Sequence, residues 1–149
     1  MATVDPRVET LLRQSVLGHL AFNGHDGRPR VAPVWFLYED GDILIGSPRN
    51  AYKNRCLSAD PRASFVVVST TQPYEHVTLT ADAVVESVSD GERNQFIQRI
   101  SRHYLGTEGS RRYLEGWNSR RHLDDGGRIR LHPIRVRSYV SRGQPEGDS

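Results

Sequence analysis

The sequence predicts a mainly β protein: an antiparallel sheet closed into a small barrel with flanking helices. Three observations carry this reading. Short apolar runs succeed one another across connections too brief for a parallel crossover, which favours hairpins. The run FVVV (65–68) is too apolar to leave at an open edge, and closure removes edges. No strand is followed by a Gly-x-Gly-x-x-Gly turn or a Gly-x4-Gly-Lys-Ser/Thr loop, so a parallel nucleotide-binding sheet is disfavoured.

The first ~15 residues read as a short helix placed as a lid, with Asp5 as cap, Pro6 at the first helical position and Val8, Leu11 and Leu12 at helical spacing. LGHLAF (17–22) is a strand, the stretch 24–29 is dense in turn residues, and RVAPVWFLYE (30–39) is a second strand. Asp40-Gly41-Asp42 turns the chain into ILIGS (43–47), completing a meander. Ser47 as N-cap and Pro48 at the first helical position predict a helix over 48–59, stopped by Asp60-Pro61. ASFVVVST (63–70) is a buried strand, and EHVTLTADAVVESV (75–88) alternates as a long, half-exposed one. Ser89 and Glu92 form a capping box for a helix carrying Ile97, Ile100 and Tyr104 on one face, and a further helical piece surrounds Tyr113, Leu114 and Trp117. In RIRLHPIRVRSYV (128–140) the apolar parity switches at Pro133, which predicts a bulge, a corner or two separate strands.

At 149 residues the chain has one domain's worth of polypeptide, expected over 1–142, with GQPEGDS (143–149) as a disordered tail. One cysteine forms no internal disulfide and the N-terminus lacks an export pattern, so a cytoplasmic setting is expected. No apolar stretch approaches the ~20 residues of a membrane span. The formal net charge of +2 is too small to imply nucleic acid by itself. Of the 20 basic residues, only Lys53 is a lysine.

That lysine belongs to the most informative segment. On a helix running over 48–59, Arg49 and Lys53 stand four apart near the positive end of the macrodipole. Like charges at that spacing repel by roughly 0.2–0.5 kcal/mol, and a cation near the N-terminus forfeits about 0.3–1 kcal/mol. A bound phosphate or carboxylate reverses both signs; the alternative is a pair of cations splayed into water. Upstream, Pro33 interrupts the strand 30–39 and marks an edge, a bulge or a place where a flat aromatic ligand lies alongside, with Trp35 otherwise in the core. The six histidines show no metal-ligand spacing, and no metal site is expected. Cys56 reads as a packed thiol, and Arg128, Arg130, Arg135 and Arg137 as a solvated barrel exterior or the seat of a polyanionic tail.

The strand VAPVWF, the turn EDGD and the run SPRNAYKNRCLSADPRASFVV together resemble the pyridoxamine 5'-phosphate oxidase-like split β-barrel family, in its flavin/deazaflavin oxidoreductase branch. The similarity covers 17–88 well and the last strand loosely. Its most specific run is Lys53 followed by Asp60-Pro61-Arg62; Cys56 stands where an asparagine is common and Ala81 where a glycine is frequent. The resemblance implies a homodimer of six-stranded split barrels with FMN or coenzyme F420 in a groove between subunits. By motif match, Lys53 and Arg49 face the cofactor's phosphate, Ser47 supports it, and Ala32, Pro33, Val34 and Trp35 lie along the ring system.

The implied function is hydride transfer between reduced F420, or FMN, and a small conjugated organic substrate, with the cofactor supplying the electronics and the protein the positioning. No catalytic acid or base is identified. The arginine-rich composition offers cations for the polyglutamate tail of F420. A second class is a non-catalytic split barrel that stores or senses flavin, F420 or haem, distinguished by tight binding without turnover. A third is a small barrel binding nucleic acid, consistent with the sequence pI ≈ 8.9 and distinguished by steep salt dependence.

Overall fold

A computed structural model describes residues 5–120 and 126–139. Helix α1 (Pro6–Leu12) begins where the sequence places it: the Asp5 carboxylate accepts from the Arg7 N–H and Pro6 occupies the first turn. It is not a lid over a binding site. Val8, Leu11 and Leu12 are buried within the barrel core, so the helix plugs one end of the barrel.

Seven strands follow in place of six: β1 (Gly18–Asn23), β2 (Pro29–Val34), β3 (Leu37–Glu39), β4 (Asp42–Gly46), β5 (Arg62–Val68), β6 (His76–Ser87) and β7 (Gly127–Tyr139). The extra strand comes from the predicted 30–39 run, which is divided at Trp35-Phe36. β2 pairs with β1, whereas β3 pairs with β4. The sheet order is β2-β1-β5-β6-β7-β4-β3, antiparallel at each pairing, so the two halves of that run stand at opposite ends of the order. The curled sheet is a split barrel, and residues 35–36 carry the chain across the split. Pro29 and Pro33 are tolerated because β2 is an edge strand with one hydrogen-bonded neighbour.

The barrel interior holds Leu20, Phe36, Ile43, Ile45, Phe65, Val67, Leu79, Ile129 and Leu131, all nearly inaccessible to solvent. Gly18 is required there: a Cβ would lie 2.0 Å from Cζ of Phe65, whose ring meets Phe36 edge-on at a centroid separation of 5.0 Å. Cys56 packs into the same core as a buried thiol. At the predicted parity switch, Thr80 faces Arg135 while Ala81 faces Pro133, leaving Ile134 as the extra residue of a β-bulge.

Two helical segments differ from expectation or extend it. Helix α2 is Tyr52–Ala59, not 48–59: its N-cap is Ala51, without a side-chain capping bond, so Ser47 is not the cap and Pro48 is not the first helical residue. Tertiary contact overrides the local Ser-Pro signature. The Ser47 N–H faces the Gly127 carbonyl at 3.4 Å, and a Cβ on Gly127 would come within 2.3 Å of the Ser47 carbonyl and 2.5 Å of the Arg49 nitrogen. The loop therefore lies flat on β7 before the helix can start. Helix α3 (Asp90–Arg120) opens with Ser89 Oγ accepting from the Glu92 N–H at 3.2 Å. It breaks at Gly106 (φ 72°), and the buried Ser101 and Ser110 hydroxyls, 2.6 Å apart, join the two halves across the break. The second half contains Tyr113, Leu114 and Trp117, as predicted. Val140 and the tail expected over 143–149 lie outside the described residues. Among the described residues no helix is long and apolar enough to cross a membrane.

Candidate functional site

α3 covers the outer face of the sheet and creates a second apolar cluster there. Leu37 and Leu44 project outward from β3 and β4 against Phe96 and Ile100, with Trp35, Ile97 and Tyr104 packed around them. This explains the unbroken apolar run of β4, in which Ile43 and Ile45 enter the barrel while Leu44 faces the helix. The strand is covered on both faces.

The helix is fastened by polar contacts to backbone the barrel leaves unpaired. The Phe36 N–H, at the break between β2 and β3, donates to the Tyr104 hydroxyl at 3.0 Å, and that hydroxyl donates to the Val16 carbonyl at 2.8 Å. Burial raises the phenol's pKa above its ordinary value, so Tyr104 keeps its proton. The Ser15 hydroxyl donates to the His103 carbonyl on the same helix turn. Trp35 stacks on Tyr104 with centroids 4.8 Å apart and planes within 4°.

Between α3 and the sheet lies a cavity of about 370 Å³, at the low end of small-molecule sites. Trp35, Ser47, Phe96, Tyr113, Trp117 and Arg128 are among its walls. Gly46 allows the Phe96 ring to approach, since a Cβ there would meet it at 3.0 Å. The Ser47 hydroxyl is buried and has no hydrogen-bond partner among the described residues. An aromatic slot with an unsatisfied hydroxyl suits a flat conjugated molecule bearing a polar edge.

The residues expected to bind a cofactor are partly gathered here. Trp35 and Ser47 line the cavity; Arg49 does not, although its backbone lies against Gly127, which does. Ala32 is half-buried against the barrel core, Pro33 is exposed opposite His19, and Val34 is buried opposite Gly18; none of the three lines the cavity. Arg49 and Lys53 do not share one helical face, because Arg49 precedes α2 in the 47–51 loop. Lys53 sits in the first turn of α2, half-buried and without an ion pair or hydrogen bond among the described residues, and burial lowers its pKa. Next to it, both amide atoms of the fully buried Asn54 lack a partner. The ammonium of Lys53 fits an anionic cofactor group, whereas Asn54 is closed off from solvent.

Sequence reasoning missed the contribution of α3. Tyr113 and Trp117 read as helix residues and Phe96 carries no signal of its own, since nothing in a helical apolar stripe tells a cavity wall from a core. Arg128 and Arg130 are not the solvated residues that were expected: both are held by Glu86, whereas Arg135 and Arg137 are exposed. Among the described residues no group of three His, Cys, Asp or Glu side chains is arranged to hold a metal.

Comparison with known proteins places the chain. Among solved structures it is similar to a conserved hypothetical protein of Mycobacterium tuberculosis, Rv2991, at 21% identity and TM-score 0.73, over 100% of this chain and 93% of that one. It is similar to an F420 reductase at 21% identity and TM-score 0.69, over 90% of this chain and 98% of that one. A FAD-binding protein of Mesorhizobium loti matches at 18% identity and TM-score 0.64, over 93% and 96% of the two chains. At these identities the likeness concerns the fold. A search of the curated proteins finds no match. The sequence matches the family described as pyridoxamine 5'-phosphate oxidase over residues 4–139, nearly its whole length, and the chain belongs to that family.

Proposed function

We propose that the protein is a flavin- or deazaflavin-dependent oxidoreductase, acting with F420 or FMN on a small conjugated organic substrate. The observation that carries this reading is the cavity, with Trp35 and the unsatisfied Ser47 hydroxyl at one wall and the 47–51 loop leading from it to Lys53. Lys53 and Arg49 bind the phosphate, Ser47 donates to the polar edge of the ring or substrate, and Trp35 and Phe96 exclude water. When bound, reduced cofactor supplies the hydride. The similar structures named F420 reductase and FAD-binding protein support a cofactor of this kind. The cavity itself offers no carboxylate or imidazole among its described walls, in keeping with a protein that supplies position and electrostatics.

The functional unit in this proposal is a homodimer whose second copy completes the groove. Exposed apolar side chains on the strands, Val31, Val84 and Ile134, support a covered sheet face. Light scattering reporting a monomer that still binds cofactor would refute the shared groove.

Titration with F420 and with FMN, followed by fluorescence, tests the function. Both tryptophans of the chain, Trp35 and Trp117, line the cavity, so intrinsic emission reports ligand entry directly. Lys53→Ala is expected to weaken cofactor binding by about 1–3 kcal/mol, the loss of a charge-assisted contact, without destabilising the apoprotein. The second expectation follows from sign: a lysine with a lower pKa when folded opposes folding while protonated, so its removal relieves that cost at neutral pH. Wild-type affinity in the variant, or no uptake of either cofactor, would overturn the proposal.

A further inference from the structure

The two charged residues among the described walls of the cavity, Arg93 and Arg128, are both cations. Arg128 is the more informative. It follows Gly127 at the start of β7, faces Gly46 on one side and Glu86 on the other, and its side chain is only 15% exposed. Its Nε and Nη2 both approach the same oxygen of Glu86, at 2.9 and 2.7 Å, and its guanidinium lies 5.9 Å from the Phe96 ring centroid. The other Glu86 oxygen accepts from Arg130 at 2.7 Å. Arg130 also binds Asp42, and Asp42 in turn holds His132 at 2.8 Å.

This chain of contacts runs across the outer face of β4, β6 and β7 and ends at the cavity. Glu86 divides one negative charge between two guanidiniums, and Asp42 serves Arg130 and His132. Arg128 is thus fixed in place with its charge only partly compensated, and its Nη1 makes no hydrogen bond with the described residues. Ser47, whose hydroxyl also lacks a partner, is placed nearby because Gly46 pairs directly with Arg128. Two unsatisfied donors at one end of an aromatic slot match the acceptors of a carboxylate. An orienting carboxylate behind the guanidinium removes the entropy that a free arginine would lose on binding.

We infer that the substrate of this cavity is a planar conjugated carboxylate, whose ring lies between Trp35, Phe96 and Trp117 and whose carboxylate is received by Arg128 with Ser47. Arg128 is the specificity-determining anchor and Glu86 its positioning residue. The inference rests on reading the cavity as the substrate site of the proposed oxidoreductase.

The test compares 2-naphthoate with 2-naphthalenemethanol, an uncharged molecule of the same shape, by calorimetric titration of the full-length protein. Wild type is expected to bind the carboxylate at least tenfold more tightly than the alcohol. Arg128→Gln should abolish that preference while leaving affinity for the alcohol within about twofold, and Arg128→Lys should restore part of it. Equal affinities in wild type, or a preference that survives in Arg128→Gln, would overturn the inference. Should Arg128→Gln fail to fold, a crystal structure of the wild-type complex decides: a carboxylate on Arg128 upholds the anchor, and one bound elsewhere refutes it. Discrimination without uptake of F420 or FMN would sink the redox reading and spare the anchor, whereas cofactor uptake without discrimination would sink the anchor alone.

Discussion

The inside of the barrel and the face beneath α3 are built from similar residues and do different work. Inside, Phe36, Phe65, Leu20 and Leu79 meet from all sides, and glycine at 18 leaves room for the Phe65 ring to fill the space. Beneath α3, a smaller apolar set surrounds a cavity of about 370 Å³, with an unsatisfied hydroxyl and a half-compensated guanidinium on its walls. Close packing carries stability, and a ligand site must give some of it up. In this chain the close-packed interior and the cavity lie on opposite faces of one sheet.

Large-to-small changes should act most strongly on the barrel interior. Phe65→Ala inside the barrel is expected to cost about 3–5 kcal/mol, read as a lower urea midpoint; a loss below ~1 kcal/mol would mean that the interior is not the seat of stability. Tyr104→Phe should cost about 1–3 kcal/mol, because the Phe36 N–H and the Val16 carbonyl lose their partner. It should also shift tryptophan emission through the loosened Trp35 stack. Unchanged stability and emission would show that α3 is not held by this contact.

Acid separates the two faces further, since among the described residues the barrel interior holds no carboxyl group. Burial pushes the Glu86 carboxyl up, but the guanidiniums of Arg130 and Arg128 outweigh it and hold the value below the ordinary 4.5. A depressed folded value means that the unfolded chain binds the proton first, so this stabilisation is present at neutral pH and is lost as pH falls below about 4.5. Glu86→Gln should flatten the acid limb of thermal stability, and an unaltered limb would count against the network. The smallest stability effect is expected at Ser47→Ala: within about 0.5 kcal/mol of wild type, since the hydroxyl bonds nothing among the described residues, but with ligand affinity reduced three- to tenfold. A large stability loss there would place Ser47 with the structural residues.

Much of the architecture was legible because each signal was local. The Asp5-Pro6 start of α1, the Ser89 cap of α3 and the parity switch at Pro133 all appear as read. The failures lie where distant chain intervened. Val34 and Leu37 belong to different strand pairs although nothing between them breaks the apolar run, because the division is made by the curl of the whole sheet. Ser47-Pro48 has a helix-start signature, yet Gly127, eighty residues on, pins the loop flat and moves the helix to Tyr52. For the site, charge singles out Lys53 and the strand break at Pro33 marks the neighbourhood of Trp35, while Ser47 enters only through the family resemblance; Phe96, Trp117 and Arg128 line a cavity that depends on where α3 docks, which no short window contains.

The dipeptide Trp35-Phe36 is both the clasp of the barrel and a side of the cavity: the Phe36 ring is sealed in the interior while the neighbouring indole faces the slot. The seal of the cylinder and a wall of the slot thus belong to adjacent residues, one peptide bond apart.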